Sequence, residues 1–383
     1  MYRLVFLHRG DDTWADEVDA AVRGVARSTL LRDDVIVRST LAEAEADRES
    51  PAVVIYLASA DAAVDADVTA ALEAARAASF PVLPVAREET GLHLLLPAGI
   101  RRLNAVIWDG SGEPALKIAR LLGLVESERK LFLSYRRTES ESLALQLRRA
   151  LSERGYDVFL DRFSVPPAVD FQRRLDAELA DKAFVLLLES ASAVGSDWVQ
   201  HEVSYALSHQ IAVLALSLPD ADPDGRFGVI DDAFRLPVDA GDLAGAGAGR
   251  TLRDAAFAHV LDVVELQTAR QLRRRREQLL GSLGDFLFRA GARRSPLGGW
   301  ALLAEHAGAR PKVYLVTPRA PSALDLRTVD RLREETRIVD CAAAVVHDVA
   351  DRDADHAELL AWIADGRRLS VEALTDVGEE LMP

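Results

Sequence analysis

The chain reads as α/β, with flavodoxin-like parallel-sheet domains in tandem, then a helical linker and a small C-terminal α/β unit. Three observations predict this. Short apolar runs alternate with amphipathic helical stretches, and the alternation is repeated. Residues 183–188 are continuously apolar, as a strand buried on both faces must be. Segments of the first third also align with segments of the second, which marks an internal repeat. The expected domains are residues 1–126, 127–250, 251–295 (the linker) and 296–383.

Bulk properties narrow the classes. A chain of 383 residues suggests two or three domains. A formal net charge of −15 disfavours a dedicated nucleic-acid binder, which needs a basic surface, but leaves room for a small anionic ligand held by a local pair of arginines. The single cysteine, Cys341, excludes a disulfide framework within the chain and a cysteine-rich zinc site, so a reducing cytoplasm is expected. The N-terminal apolar stretch is broken too early by charges for a signal peptide, and the apolar runs fall short of the roughly 18 residues of a membrane span.

In the first copy, residues 4–7, 53–57 and 81–85 read as strands. Residues 14–25, 64–78 and 116–122 read as helices, the last ending at Gly123. The order restarts at Arg129. Residues 131–133 are a strand, and 142–154 a helix with Leu143, Leu147, Ala150 and Leu151 on one face; Thr138 and Glu141 have capping-box spacing ahead of it. Residues 157–160 form the next strand. Phe171, Leu175 and Leu179 form the apolar stripe of a helix, residues 198–208 another helix, and 211–216 a strand. Residues 219–250 read as loop with a short edge strand at 234–238. Residues 251–290 are helix-forming and carry a basic cluster, Arg270 with Arg273 to Arg276, read first as a solvated face or a partner contact and second as a phosphate-binding patch. Residues 312–316 and 337–346 read as strands of the last unit, with His347 and His356 at the surface.

The repeat is informative where it fails. Phe6-Leu7-His8-Arg9 lies against Leu133-Ser134-Tyr135-Arg136, and the stretch from Asp65 to Leu72 lies against that from Gln200 to Leu207. The first copy has His8, Gly10, Ala63 and Asp67 where the second has Tyr135, Arg137, Trp198 and Glu202. The scaffold is kept and the chemistry-bearing side chains are not, so the first copy reads as inactive.

Ligands of an open parallel sheet sit beyond the carboxyl ends of its strands. In the second copy that rule selects Ser134-Tyr135-Arg136-Arg137, Asp161-Arg162-Phe163 and Glu189-Ser190. The helix that follows is expected to bury Val199, Val203, Ala206 and Leu207, with Trp198, Glu202 and Tyr205 at i, i+4 and i+7 along the rim. Each residue has a plainer reading: Glu202 as a surface carboxylate, Trp198 as core, Arg136 and Arg137 as salt-bridge partners, Asp161 as a turn-former. Their convergence on one sheet edge carries the functional reading.

Together, Leu131-Phe132-Leu133-Ser134-Tyr135-Arg136-Arg137, the Phe159-Leu160-Asp161 strand end with its Pro166-Pro167 loop, and Ser196-Asp197-Trp198 with Glu202 resemble a Toll/interleukin-1 receptor (TIR) domain of the bacterial, NAD⁺-cleaving type. The resemblance is strong over residues 129–218 and weak over 1–124, which would make the N-terminal domain a degenerate TIR-like repeat. It implies cleavage of the nicotinamide–ribose bond of NAD⁺, with Glu202 as the essential residue. It also implies that residues 161–170 shape the site and mediate assembly; Ala168 stands there in place of an expected glycine. NAD⁺ is then a substrate, and no cofactor or metal is required. Ser134, Tyr135, Arg136, Arg137, Asp161, Phe163, Ser190 and Trp198 are the expected substrate contacts. The expected context is antiphage defence, with self-association through TIR domains and a signal or partner protein sensed by the flanking domains. A non-enzymatic TIR adaptor is the competing reading; a nucleoside transferase or hydrolase on the same sheet is a third.

Overall fold

A computed structural model describes the chain apart from residues 1, 11, 29–35, 49, 79, 102, 104, 111, 123, 125–128, 161–170, 183, 222–226, 232–233, 299, 350–353 and 382–383. The chain divides into two compact units, one of residues 1–125, 273–348 and 355–383, the other of residues 126–272 and 349–354.

The first unit opens with β1 (Tyr2–Leu7), α1 (Thr13–Ser28), β2 (Ile36–Arg38), α2 (Leu41–Ala46), β3 (Ala52–Leu57), α3 (Ala60–Val64), α4 (Ala66–Ala77), β4 (Val82–Ala86), α5 (Leu92–Leu95), β5 (Val106–Ile107) and α6 (Gly112–Leu121). Its strands form a parallel sheet in the order β2-β1-β3-β4-β5. Every residue of the apolar run in β3 is buried, as its central position demands. The helix expected over residues 64–78 is α4, which begins two residues later, with the short α3 ahead of it. The Asp65 carboxylate accepts from the amides of Asp67 and Val68, and a side chain that caps α4 ends α3 at the same point.

The second unit repeats the topology with β6 (Lys130–Ser134), α7 (Arg137–Glu153), β7 (Asp157–Phe159), α8 (Phe171–Asp181), β8 (Phe184–Glu189), α9 (Asp197–Ser208), β9 (Ala212–Ser217) and β10 (Arg235–Pro237). The sheet order, β7-β6-β8-β9-β10, is that of the first sheet and of flavodoxin-like folds. Leu131, Leu133 and Tyr135 face α7, while Phe132 faces α8 and α9, the alternation of a strand covered on both sides. The expected capping box at Thr138 does not form. Arg137 to Glu139 make a separate turn, the backbone leaves helical geometry at Ser140 (φ −141°, ψ 21°), and Glu139 is drawn to another loop.

After the paired segments β11 (Leu243–Ala244) and β12 (Thr251–Leu252) comes α10 (Asp254–Arg289). Val260, Leu261 and Val264 of α10 join the core of the second unit. Leu279, Leu283 and Leu287 join a core under the last sheet. The basic cluster of α10 is not a solvated face. Arg273 lies over Phe80 and donates to the Ser50 carbonyl, Arg275 pairs with Asp348, and Arg276 lies over Trp300.

The last sheet contains β13 (Arg293–Gly298), β14 (Ala301–Glu305), β15 (Lys312–Val316), β16 (Ala342–His347) and β17 (Leu369–Ala373), in that order. Its first three strands are antiparallel and its last three parallel. Helices α11 (Ala323–Glu335), α12 (Ala354–Ala364) and α13 (Leu374–Leu381) accompany it. The strand expected from residue 337 begins at Ala342, because Arg337 and Asp340 adopt positive φ in the turn before it. His347, expected at the surface, is buried at the end of β16, and His356 is half-buried against the Pro321 carbonyl.

Candidate functional site

Ser134 is the last residue of β6 and shares the α9 side with Phe132. Glu202 lies on α9 between Val199 and Val203, whose side chains are core, so the helix turns its carboxylate inward. Glu202 is only 2% exposed, deeper than the rim position expected for it, and its Oε2 accepts a hydrogen bond from Ser134 Oγ at 2.5 Å. Two residues 68 apart in sequence thus meet inside the carboxyl edge of the sheet.

Trp198, one turn before Glu202, is half-buried and packs against the same core. Leu207 was expected on the buried face and is 37% exposed. Tyr205 is buried in its place, its ring stacked on His209 with centroids 4.0 Å apart. The stripe at Val199, Glu202, Val203 and Ala206 leaves Leu207 one step too far round the helix.

The other expected residues divide between two sides of the sheet edge. Tyr135 is buried in the α7-side core, away from the Ser134 side. Arg136 is half-buried and donates through Nη1 to the Ser192 carbonyl at 2.6 Å; Arg137 is exposed at the start of α7. Ser190 is buried and turned towards Glu139. Asp161 and Phe163, with the Pro166-Pro167 loop and Ala168, lie outside the described residues.

Two further carboxylates lie at this sheet edge, and of them only Glu189 was selected from the sequence. Glu139 takes hydrogen bonds from the Ser192 hydroxyl and from the Ser192 amide at 3.3 Å. Burial works to raise its pKa, but the hydroxyls of Ser190 and Ser192, that amide and the Arg136 charge together hold it below the ordinary carboxylate value. With Arg136, it pins the loop that leads into α9 at Ser192. Glu189, selected by the strand-end rule, is 1% exposed and committed to structure: it accepts from Arg235 Nε at 3.3 Å and from the Phe227 amide at 3.2 Å. Its partner Arg235 begins the edge strand β10, two strands away in the sheet, and nothing near Glu189 in the sequence points to it.

The first sheet offers the contrast. Asp67, set against Glu202 in the sequence, is exposed in the first turn of α4. Counted from the helix starts, with Val68, Leu72 and Ala75 buried as Val199, Val203 and Ala206 are, the position of Glu202 falls to Ala71. His8 pairs with Asp12 at 3.3 Å and Arg9 with Asp65 at 3.1 Å. Past the ends of β4 and β5, Glu17 accepts from Trp108 Nε1 at 2.6 Å and pairs with Arg87, which itself lies over the Trp14 ring. Among the described residues, no group of His, Cys, Asp or Glu could hold a metal ion, and no helix is long and apolar enough to cross a membrane.

Residues 131–246 match the family model of the TIR domain. No curated protein matches the chain. A TIR domain therefore occupies the second sheet, and such domains serve either in NAD⁺ cleavage or in signalling assemblies.

Proposed function

We propose that the TIR domain at residues 131–246 cleaves the nicotinamide–ribose bond of NAD⁺. The observation that carries this reading is Glu202, a carboxylate buried beneath the carboxyl edge of a parallel sheet and hydrogen-bonded by Ser134, where the corresponding helix of the first sheet has Ala71. Burying a carboxylate is costly, and where Glu189 and Glu265 pair with Arg235 and Arg129, the hydrogen bond described for Glu202 comes from a serine hydroxyl. In the reaction the C1′–N bond breaks with its electron pair going to the nicotinamide nitrogen. Neutral nicotinamide leaves, and an oxocarbenium-like ribosyl cation remains for water, or an internal nitrogen, to capture. A fixed carboxylate lowers the energy of that cation. Arg137, with Arg136 beside it, would hold the pyrophosphate, for which forked guanidinium groups are suited. Trp198 would stack on a ring, and residues 161–170 would complete the pocket.

Assembly through TIR domains, as an effector or signal producer in bacterial defence, is the biological setting this activity fits, with the flanking domains controlling it. An adaptor that only assembles has no use for a buried carboxylate at this position. Incubating the full chain with NAD⁺ and measuring nicotinamide tests the proposal. Glu202→Ala is expected to lower release by about 10²–10³-fold or more with the fold retained. Release at the wild-type rate in that variant would refute it.

A further inference from the structure

Ser134 was expected as a substrate contact, and its geometry gives it a different task. A serine hydroxyl has one proton to donate. That proton is directed at Glu202 Oε2 across 2.5 Å, and both residues are at most 2% exposed. Ser134 also ends β6, a strand paired on both sides, with Phe132 next to it on the α9 side fully buried. The donor is thus carried by a rigid element.

We infer that Ser134 is the positioning residue of the site: it orients the Glu202 carboxylate and keeps it ionised, and donates no hydrogen bond to substrate. The inference rests on the NAD⁺-cleaving reading for its kinetic consequence, but not for its electrostatic one. Burial favours a neutral carboxyl, whereas a hydrogen bond to the charged form opposes that. Without the hydroxyl, the Glu202 carboxyl loses the bond that favours its charged form and fixes its orientation.

The test uses the full chain and two independent readouts. Glu202 is titrated by infrared difference spectroscopy with Glu202→Gln as the blank, and nicotinamide release from NAD⁺ is followed against pH. Ser134→Ala is expected to raise the carboxyl titration, and the acidic limb of the rate profile, by about one pH unit. It should lower kcat roughly tenfold or more with KM unchanged. Ser134→Thr, which restores a hydroxyl, should return both. A carboxyl titration that does not move in Ser134→Ala overturns the inference, as does a KM that rises while kcat holds, which would make Ser134 a substrate contact. If the wild-type chain releases no nicotinamide, the NAD⁺ reading fails alone, and the infrared titration still decides the role of Ser134.

Discussion

Arg129 and Glu265 form a closed two-point ion pair, Nη1 to Oε1 at 2.6 Å and Nη2 to Oε2 at 2.5 Å, joining the residue before β6 to the middle of α10. The Arg129 guanidinium lies 4.0 Å from the centre of the Tyr156 ring, and Tyr156 donates to Glu265 at 3.2 Å. Burial raises the Tyr156 pKa well above the usual phenol range, so the tyrosine remains a donor at all physiological pH. Removing one charge takes from the other its two-point ionic partner while leaving it buried. Glu265→Ala should therefore destabilise the second unit by about 3–5 kcal/mol, while an Arg129→Met/Glu265→Met pair should recover most of that loss. Urea denaturation midpoints of the two variants check it.

The same pair predicts the smallest fragment that folds. Residues 127–250 omit Glu265 and the apolar residues Val260, Leu261 and Val264, which belong to the core beneath α7. A fragment of residues 127–272 should unfold cooperatively. One ending at 250 should show a much lower denaturation midpoint or precipitate, because it exposes three aliphatic side chains worth roughly 1.5–3 kcal/mol each and strands Arg129. Circular dichroism melts of the two fragments decide the matter.

Lys182 is 3% exposed at its side chain and lies between Asp157 at 3.0 Å, Glu178 at 3.4 Å and Asp181 at 3.3 Å. Burial alone would lower its pKa; the carboxylates, Asp181 foremost, outweigh that and raise it. A raised pKa means that its stabilisation is complete below the ordinary lysine value and fades only in strongly alkaline solution. Lys182→Met should cost about 2–4 kcal/mol at neutral pH, and less near pH 4, where the stranded carboxylates take up protons. Denaturation curves at the two pH values give the comparison.

Glu139 predicts an acid-sensitive loop. Its pKa is held below the ordinary 4.5 in the folded protein despite the opposing effect of burial, so its contribution is present above that value and is lost as pH falls below it. Protection of the Ser192 amide against hydrogen exchange should drop over that acidic window in the wild type. In Glu139→Gln, which has no charge to lose, the drop should disappear. Equal pH dependence in both proteins would refute the assignment.

Much of this was legible in the sequence because it is periodic. The strand–helix alternation gave the sheet order, and the carboxyl-edge rule picked Ser134 and the helix bearing Glu202. The missing parts are long-range pairings of charge, which leave no period. Nothing near Arg129 announces Glu265, and nothing near Ser192 announces Glu139 or Arg136. Ser134 and Tyr135 are neighbours in the motif but face opposite sides of the sheet, so adjacency in sequence overstated their common role. The exchange of Leu207 for Tyr205 has a similar cause: the true stripe follows Glu202 inward, and hydropathy alone would not bury a carboxylate.

The charge of Glu202 can be separated from its shape. Glu202→Gln keeps the size of the side chain and an oxygen to accept from Ser134, so the domain should melt within a few degrees of the wild type. It cannot balance a developing ribosyl cation, and nicotinamide release should fall by about 10²–10³-fold, as in Glu202→Ala. The control is Asp67→Asn, at a carboxylate of the first sheet's α4. Asp67 is exposed, so its replacement should leave both the melt and the release of nicotinamide unchanged. Full activity in Glu202→Gln would mean that the buried charge is not what the reaction needs. Loss of activity in Asp67→Asn would mean that the first sheet takes part in the chemistry. The expected pattern, with loss at Glu202 and none at Asp67, would place the chemistry on one of two sheets that share a topology.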